Sequence, residues 1–139
     1  MQYVVAHHVG RLLEARVFAL TTAAEASAYL DELAQEIQKI EGQPVLVADH
    51  RPVLVYPPEV TDVLVSAFRV NNALLERVAI LVSPENALLQ LQLARVVREA
   101  SGPKRKVFHS AEMAMAFVRT DLTPEEIHRA NAFLEEELA

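Results

Sequence analysis

No cysteine occurs among the 139 residues. Its absence excludes disulfides, thiolate zinc sites, iron–sulfur clusters and cysteine nucleophiles, and suits a reducing compartment. Glycine is scarce as well, with only Gly10, Gly42 and Gly102. A phosphate-cradling loop needs several clustered glycines so that backbone N–H groups can close on the phosphate. Three scattered ones set aside the P-loop and dinucleotide-binding enzymes. Long apolar runs are missing too: the longest, residues 113–118, is far short of the roughly 20 residues of a membrane span. Near the N-terminus, His7, His8, Arg11, Glu14 and Arg16 interrupt the apolar residues. No secretory signal is legible there, and a cytoplasmic location is the expectation. Basic residues number 13 against 19 acidic ones, a formal charge of −6. That balance argues against a duplex-binding footprint, so no nucleic-acid partner is expected.

What is present reads as a folded domain. Hydrophobic residues make up 52% and charged residues 23%, which is incompatible with a mainly disordered chain. The length is that of one domain with a sizeable core.

Each glycine has an expected structural task. Gly10 lies between the β-rich stretches 3–8 and 11–19 and supplies the positive φ of a hairpin turn. Gly42 and Gly102 each follow a helical pattern and precede a proline within two residues, the usual stop of a helix. Helix starts are equally visible. Thr22 and Glu25 form a capping box for a helix reaching about residue 41, with Ala26, Tyr29, Leu30, Leu33, Ile37 and Ile40 on its inner face. Pro58-Glu59 opens a second helix reaching about residue 72, with Val60, Val63, Leu64 and Ala67 inward. Ser83-Pro84-Glu85 predicts an N-cap serine and N1 proline for a third, running to about residue 100. Ser110 caps a short helix over 111–118, and Thr123 with Glu126 opens a last one from Pro124 to about Leu138. The runs 45–48 and 78–83 are near-continuously apolar, as in strands covered on both faces, and 106–108 reads as a strand nearer an edge. The pattern predicts an α/β fold: an N-terminal β-hairpin, then alternating helices and strands in a mixed, mostly parallel sheet, with an extra C-terminal helix.

This order, with Glu76-Arg77-Val78-Ala79-Ile80-Leu81-Val82, Gln90-Leu91-Gln92-Leu93-Ala94-Arg95 and Val107-Phe108-His109-Ser110-Ala111-Glu112-Met113-Ala114, resembles the STAS domains of anti-sigma-factor antagonists and their sporulation-antagonist-like (SpoIIAA-like) relatives. The similarity covers roughly residues 2–119, giving a domain over 1–119 and a C-terminal helix over 120–139 packed on it. It implies a small cytoplasmic bacterial adaptor or regulator without catalysis or cofactor, docking to a protein partner. In signalling members, a Ser or Thr at the start of the second helix is phosphorylated. Here Tyr56-Pro57-Pro58-Glu59-Val60-Thr61-Asp62 departs from that pattern, and Thr61 is the nearest hydroxyl.

Among candidate chemistries, His7 and His8 are adjacent on a strand and point to opposite faces, so they do not chelate one ion together. His50, His109 and His128 share no ligand spacing, so no metal site is expected. Asp49, His50, Arg51 and His109 fall near carboxyl ends of strands, where open α/β sheets hold ligands. They could converge as an acid–base site; the competing reading is loop caps and an exposed His109. Lys104-Arg105-Lys106 lacks interleaved aromatics for base stacking and reads as a solvated loop. Residues 121–139 carry a balance of −5 and residues 84–106 one of +3. The acidic run Glu135-Glu136-Glu137 is thus either a solvated helix end or a tail docked on that basic stretch or on a second copy. Finally, Val65 and Phe68 on the second helix, and Leu88 and Leu91 on the third, fall beside or off the buried stripes. They are the candidate interaction surface for a protein partner or a homodimer. The alternative function is a carrier or sensor of a small apolar, lipid-like ligand, which requires an enclosed apolar chamber.

Overall fold

Strand β1 (Tyr3–Val9) turns back into β2 (Leu12–Val17) as an antiparallel hairpin in the computed structural model, which describes residues 2–136. Gly10 at the turn has φ +53°, the left-handed region open to glycine. A Cβ there would also collide with the Glu126 carboxylate, which accepts a hydrogen bond from the Arg11 backbone N–H. From β2 the chain runs α1 (Ala23–Lys39), β3 (Val45–Asp49), α2 (Pro58–Asn71), β4 (Arg77–Leu81), α3 (Ala87–Glu99) and β5 (Arg105–Phe108). The five strands lie in the order β1-β2-β3-β4-β5, parallel from β2 onward. Each crossover moves the chain one strand in the same direction, so one handedness places α1, α2 and α3 on the same face. The chain then crosses to the other face as α4 (Ala111–Val118), a 3₁₀ turn (Arg119–Asp121) and α5 (Pro124–Glu135). This is the expected α/β arrangement. The last turn expected for the final helix, with Glu137 and Leu138, lies outside the described residues.

Period-two alternation divides the sheet between two apolar layers. Leu13, Ala15, Val17, Leu46, Ala48, Val78 and Ile80 face α1–α3 in the larger core. Leu12, Val45, Val47, Ala79 and Leu81 face α4 and α5 in the smaller one. Both β2 and β3 are buried along their whole length.

Local caps decide most helix starts. Thr22 accepts from Glu25 N–H, Ser110 from Met113 N–H, and Thr123 with Glu126 makes a reciprocal capping box. The third helix is the exception: it begins at Ala87, and its cap is Asn86 rather than Ser83. The Asn86 side-chain oxygen accepts from Leu89 N–H, while its amide donates to the carbonyls of Val53 (3.2 Å) and Leu54 (2.8 Å). A serine at 83 has no amide to tie that loop down, and its hydroxyl is used on Glu85. The helix also stops differently from expectation. Ser101 takes the left-handed conformation (φ 56°), and Gly102 instead provides room, because a Cβ there would meet the Asn72 amide at 3.0 Å.

Candidate functional site

Strand alternation places Glu14, Arg16 and Asp49 on the α5 side of the sheet. Arg16 and Asp49 are direct neighbours in the β2–β3 register. All three are buried, so each requires a partner. Arg16 Nε donates to Asp49 Oδ2 at 2.9 Å, and its Nη1 to Glu136 at 2.8 Å. Arg51 Nε donates to Asp49 Oδ1 at 2.9 Å, and its backbone N–H to the same oxygen at 3.0 Å. Glu14 receives Nε and Nη2 of Arg129, both at 2.7 Å. The helix end is held as well: Arg16 Nη2 donates to the Phe133 carbonyl (2.8 Å) and Arg51 Nη2 to that of Leu134 (2.9 Å). Burial alone would raise the Asp49 pKa, but the hydrogen bonds from Arg51 and Arg16 outweigh it and hold the carboxyl below its ordinary value. Arg16 holds Glu136 down in the same way.

Each carboxylate of this network is engaged by a guanidinium, and together the pairs clamp α5 to the sheet. Of the four residues that could converge, Asp49 and Arg51 do come together. His50 does not join them: one step along an extended chain reverses the side chain. It sits in the larger core, its Nδ1 2.7 Å from the Tyr56 hydroxyl. Burial pushes its pKa down to about 4, so the ring is neutral at pH 7. His109 is exposed just beyond β5, two strands away from β3, roughly 10 Å at ordinary strand spacing. The four-residue convergence therefore does not form, and His109 is exposed as in the competing reading.

Other expectations need correction too. Phe68 is buried (4% exposed), because Val60, Leu64 and Phe68 form one i, i+4 row against the sheet. Val65 is half-buried against the same core. Neither lies on a free surface. Thr61 is buried, its hydroxyl donating to the Pro58 carbonyl at 2.9 Å, so the candidate phosphosite is a covered, engaged hydroxyl. Arg105 is buried as well, not solvated with Lys104 and Lys106. Of the acidic run, Glu135 is exposed, Glu136 pairs with Arg16 and Arg129 rather than with residues 84–106, and Glu137 lies outside the described residues.

Glu14, Arg16 and Arg129 were missed by sequence reasoning. The usable signal was an acid and a base at period two within an otherwise apolar strand, Leu12-Leu13-Glu14-Ala15-Arg16-Val17. A strand buried on both faces cannot carry such charges without a covering element that answers them.

Leu88 and Leu91 are exposed, 59% and 70% respectively. The β3–α2 loop lies beside them. Besides the Asn86 ties, Gln92 bonds both the carbonyl and the N–H of Tyr56 (2.8 and 3.1 Å). Two further exposed apolar side chains, Leu54 (81%) and Val55 (50%), are thereby fixed against the first turns of α3. Elsewhere, a groove of about 510 Å³ runs between α1 and α2, floored by Leu30, Val63 and Ala67 and open to solvent. A cleft of about 380 Å³ lies between β1 and α5, where Glu14, Arg16, Arg129 and Glu136 are already paired. Among the described residues, no cluster of three or more His, Asp or Glu is placed to hold a metal, and no helix is long and apolar enough to cross a membrane. No protein-family model matches the chain, and no curated protein matches it.

Proposed function

We propose that this protein is a non-catalytic, STAS-like regulatory or adaptor domain of the bacterial cytoplasm that works by docking to another protein. The observation that carries this reading is the set of exposed apolar side chains Leu54, Val55, Leu88 and Leu91 on two segments tied to each other. Single exposed apolar residues are ordinary, but here they share two segments stitched by four side-chain hydrogen bonds from Asn86 and Gln92. A surface held rigid before contact loses little conformational freedom on binding, which favours docking. The element order and the similarity of motifs support the STAS-like part of the reading. The carrier alternative has less support. Side chains fill both layers flanking the sheet, and the α1–α2 groove is open where a lipid chain needs enclosure.

A photo-crosslinking residue at position 91, expressed in the native host, tests the proposal against the same residue at the exposed Gln38 on α1. The expected result is one discrete heavier product from position 91, lost when Leu54 and Leu88 are changed to Asp. The mass of that product distinguishes a second copy of the chain from a different protein. Equal, diffuse labelling at positions 91 and 38 would overturn the reading.

A further inference from the structure

The cationic run Lys104-Arg105-Lys106, which leads into β5, divides by strand alternation. Lys106 turns toward the α4 side, where its Nζ lies 5.4 Å from the Phe117 ring centroid. Arg105 turns into the layer beneath α2 and α3 and is only 3% exposed. Its guanidinium lies 3.9 Å above the Phe68 ring centroid, and Nε donates to Asn72 Oδ1 at 3.1 Å. Nη2 is buried and has no hydrogen-bond partner. No ion pair forms between Arg105 and any carboxylate among the described residues, whereas buried Arg16 has two. Burial draws the Arg105 pKa down to about 10, as an uncompensated cation requires. Arg105 lines a cavity of about 100 Å³ with Asn72, Leu75, Val78, Gly102 and Lys104. That volume holds a few waters or one small oxyanion, at about 30 Å³ per water, and is far below the size of a nucleotide site.

We infer that this cavity binds a small tetrahedral oxyanion of the phosphate class. Arg105 is the buried anchor and Lys104 the second cation at the rim. Asn72 is a positioning residue: it holds the guanidinium through Oδ1 while its own amide donates to the Ala100 carbonyl. Gly102 keeps the space that the Asn72 amide occupies. A planar guanidinium that borders the cavity without a carboxylate partner suits a phosphate oxygen, and the anion supplies the charge that the protein leaves out. The site is separate from the docking surface and does not depend on it.

Thermal melts of the full chain at constant pH and ionic strength test this with phosphate, sulfate and acetate as separate titrants. Wild-type Tm is expected to climb with the logarithm of phosphate concentration above its dissociation constant, while Arg105→Met shows no such climb. Without phosphate, Arg105→Met should melt no lower than wild type, because it removes a buried charge that nothing answers. Lys104→Ala should weaken binding by about tenfold, and the ³¹P line of phosphate should broaden with wild type but not with Arg105→Met. If Arg105→Met fails to fold, Arg105→Lys takes its place with the same ³¹P readout and a weaker response expected. Parallel shifts of wild type and variant in all three salts would reflect general exclusion of the salts from the surface and overturn the site. A specific response to acetate without one to phosphate would overturn the phosphate assignment.

Discussion

The two faces of the sheet are held by different physics. Under α1, α2 and α3 the contacts are almost wholly apolar, and among the described residues the single buried cation there, Arg105, has no carboxylate partner. Under α5 a smaller apolar cluster is bordered by Glu14, Arg16, Asp49, Arg51, Arg129 and Glu136, tied to one another and to the helix end. Apolar burial is non-directional and tolerates sliding, whereas these hydrogen-bonded ion pairs hold at one position only. The crossover helices are already fixed by the strands at both their ends. α5 follows α4 and a 3₁₀ turn rather than a strand, and the charges are concentrated where it meets the sheet.

The largest expected effect strikes the ionic side. Asp49→Ala leaves the buried Arg16 and the half-buried Arg51 without their shared counter-charge and should cost about 3–5 kcal/mol in urea unfolding. That loss rivals a large truncation on the other face such as Leu64→Ala, about 2–5 kcal/mol. A much smaller loss at Asp49 would show that α5 is held by Ala130, Phe133 and Leu134 alone.

Acid should next discriminate the two sides. His50, in the apolar layer, has its folded pKa lowered from 6.5 to about 4. Between those values the unfolded chain binds the extra proton, so stability falls as pH falls from 6.5 to 4, by about 3 kcal/mol in total. His50→Gln should remove that slope. Asp49 and Glu136, whose folded pKa values are depressed, contribute stability above their ordinary values that is lost only at more acid pH. Equilibrium unfolding at a series of pH values separates the two windows; an unchanged slope in His50→Gln would contradict the burial of a neutral imidazole.

The smallest effect belongs to the docking surface. Leu88→Asp with Leu91→Asp should change unfolding free energy by no more than about 0.5 kcal/mol each, since both side chains already face water. A loss of several kcal/mol would mean that they are structural.

Legibility from sequence followed the range of the interactions. The caps at Thr22, Ser110 and Thr123 act within three residues and were readable directly, as was the hairpin turn at Gly10. Asn86 gains its advantage over Ser83 from a loop more than thirty residues earlier, which local cap chemistry cannot reveal. Phe68 was misassigned although its phase matched Leu64, because its place also depends on Arg105 stacking above it from a distant strand. For the ionic clamp, Asp49 and Arg51 are visible in the sequence only as two of four candidates, with His50 and His109, for a polar site. The partner that matters, Arg16, adjoins Asp49 only through the pairing of β2 with β3.

Phe133 and Leu134 serve Arg16 and Arg51 through their backbone oxygens, which every amino acid possesses. The ionic seam therefore depends on the spacing of these carbonyls, while burial in the smaller core separately constrains the Phe133 and Leu134 side chains. Deleting one residue within α5 would rotate the final turn by about 100° and aim those oxygens elsewhere, while many substitutions along the outer side would pass without consequence.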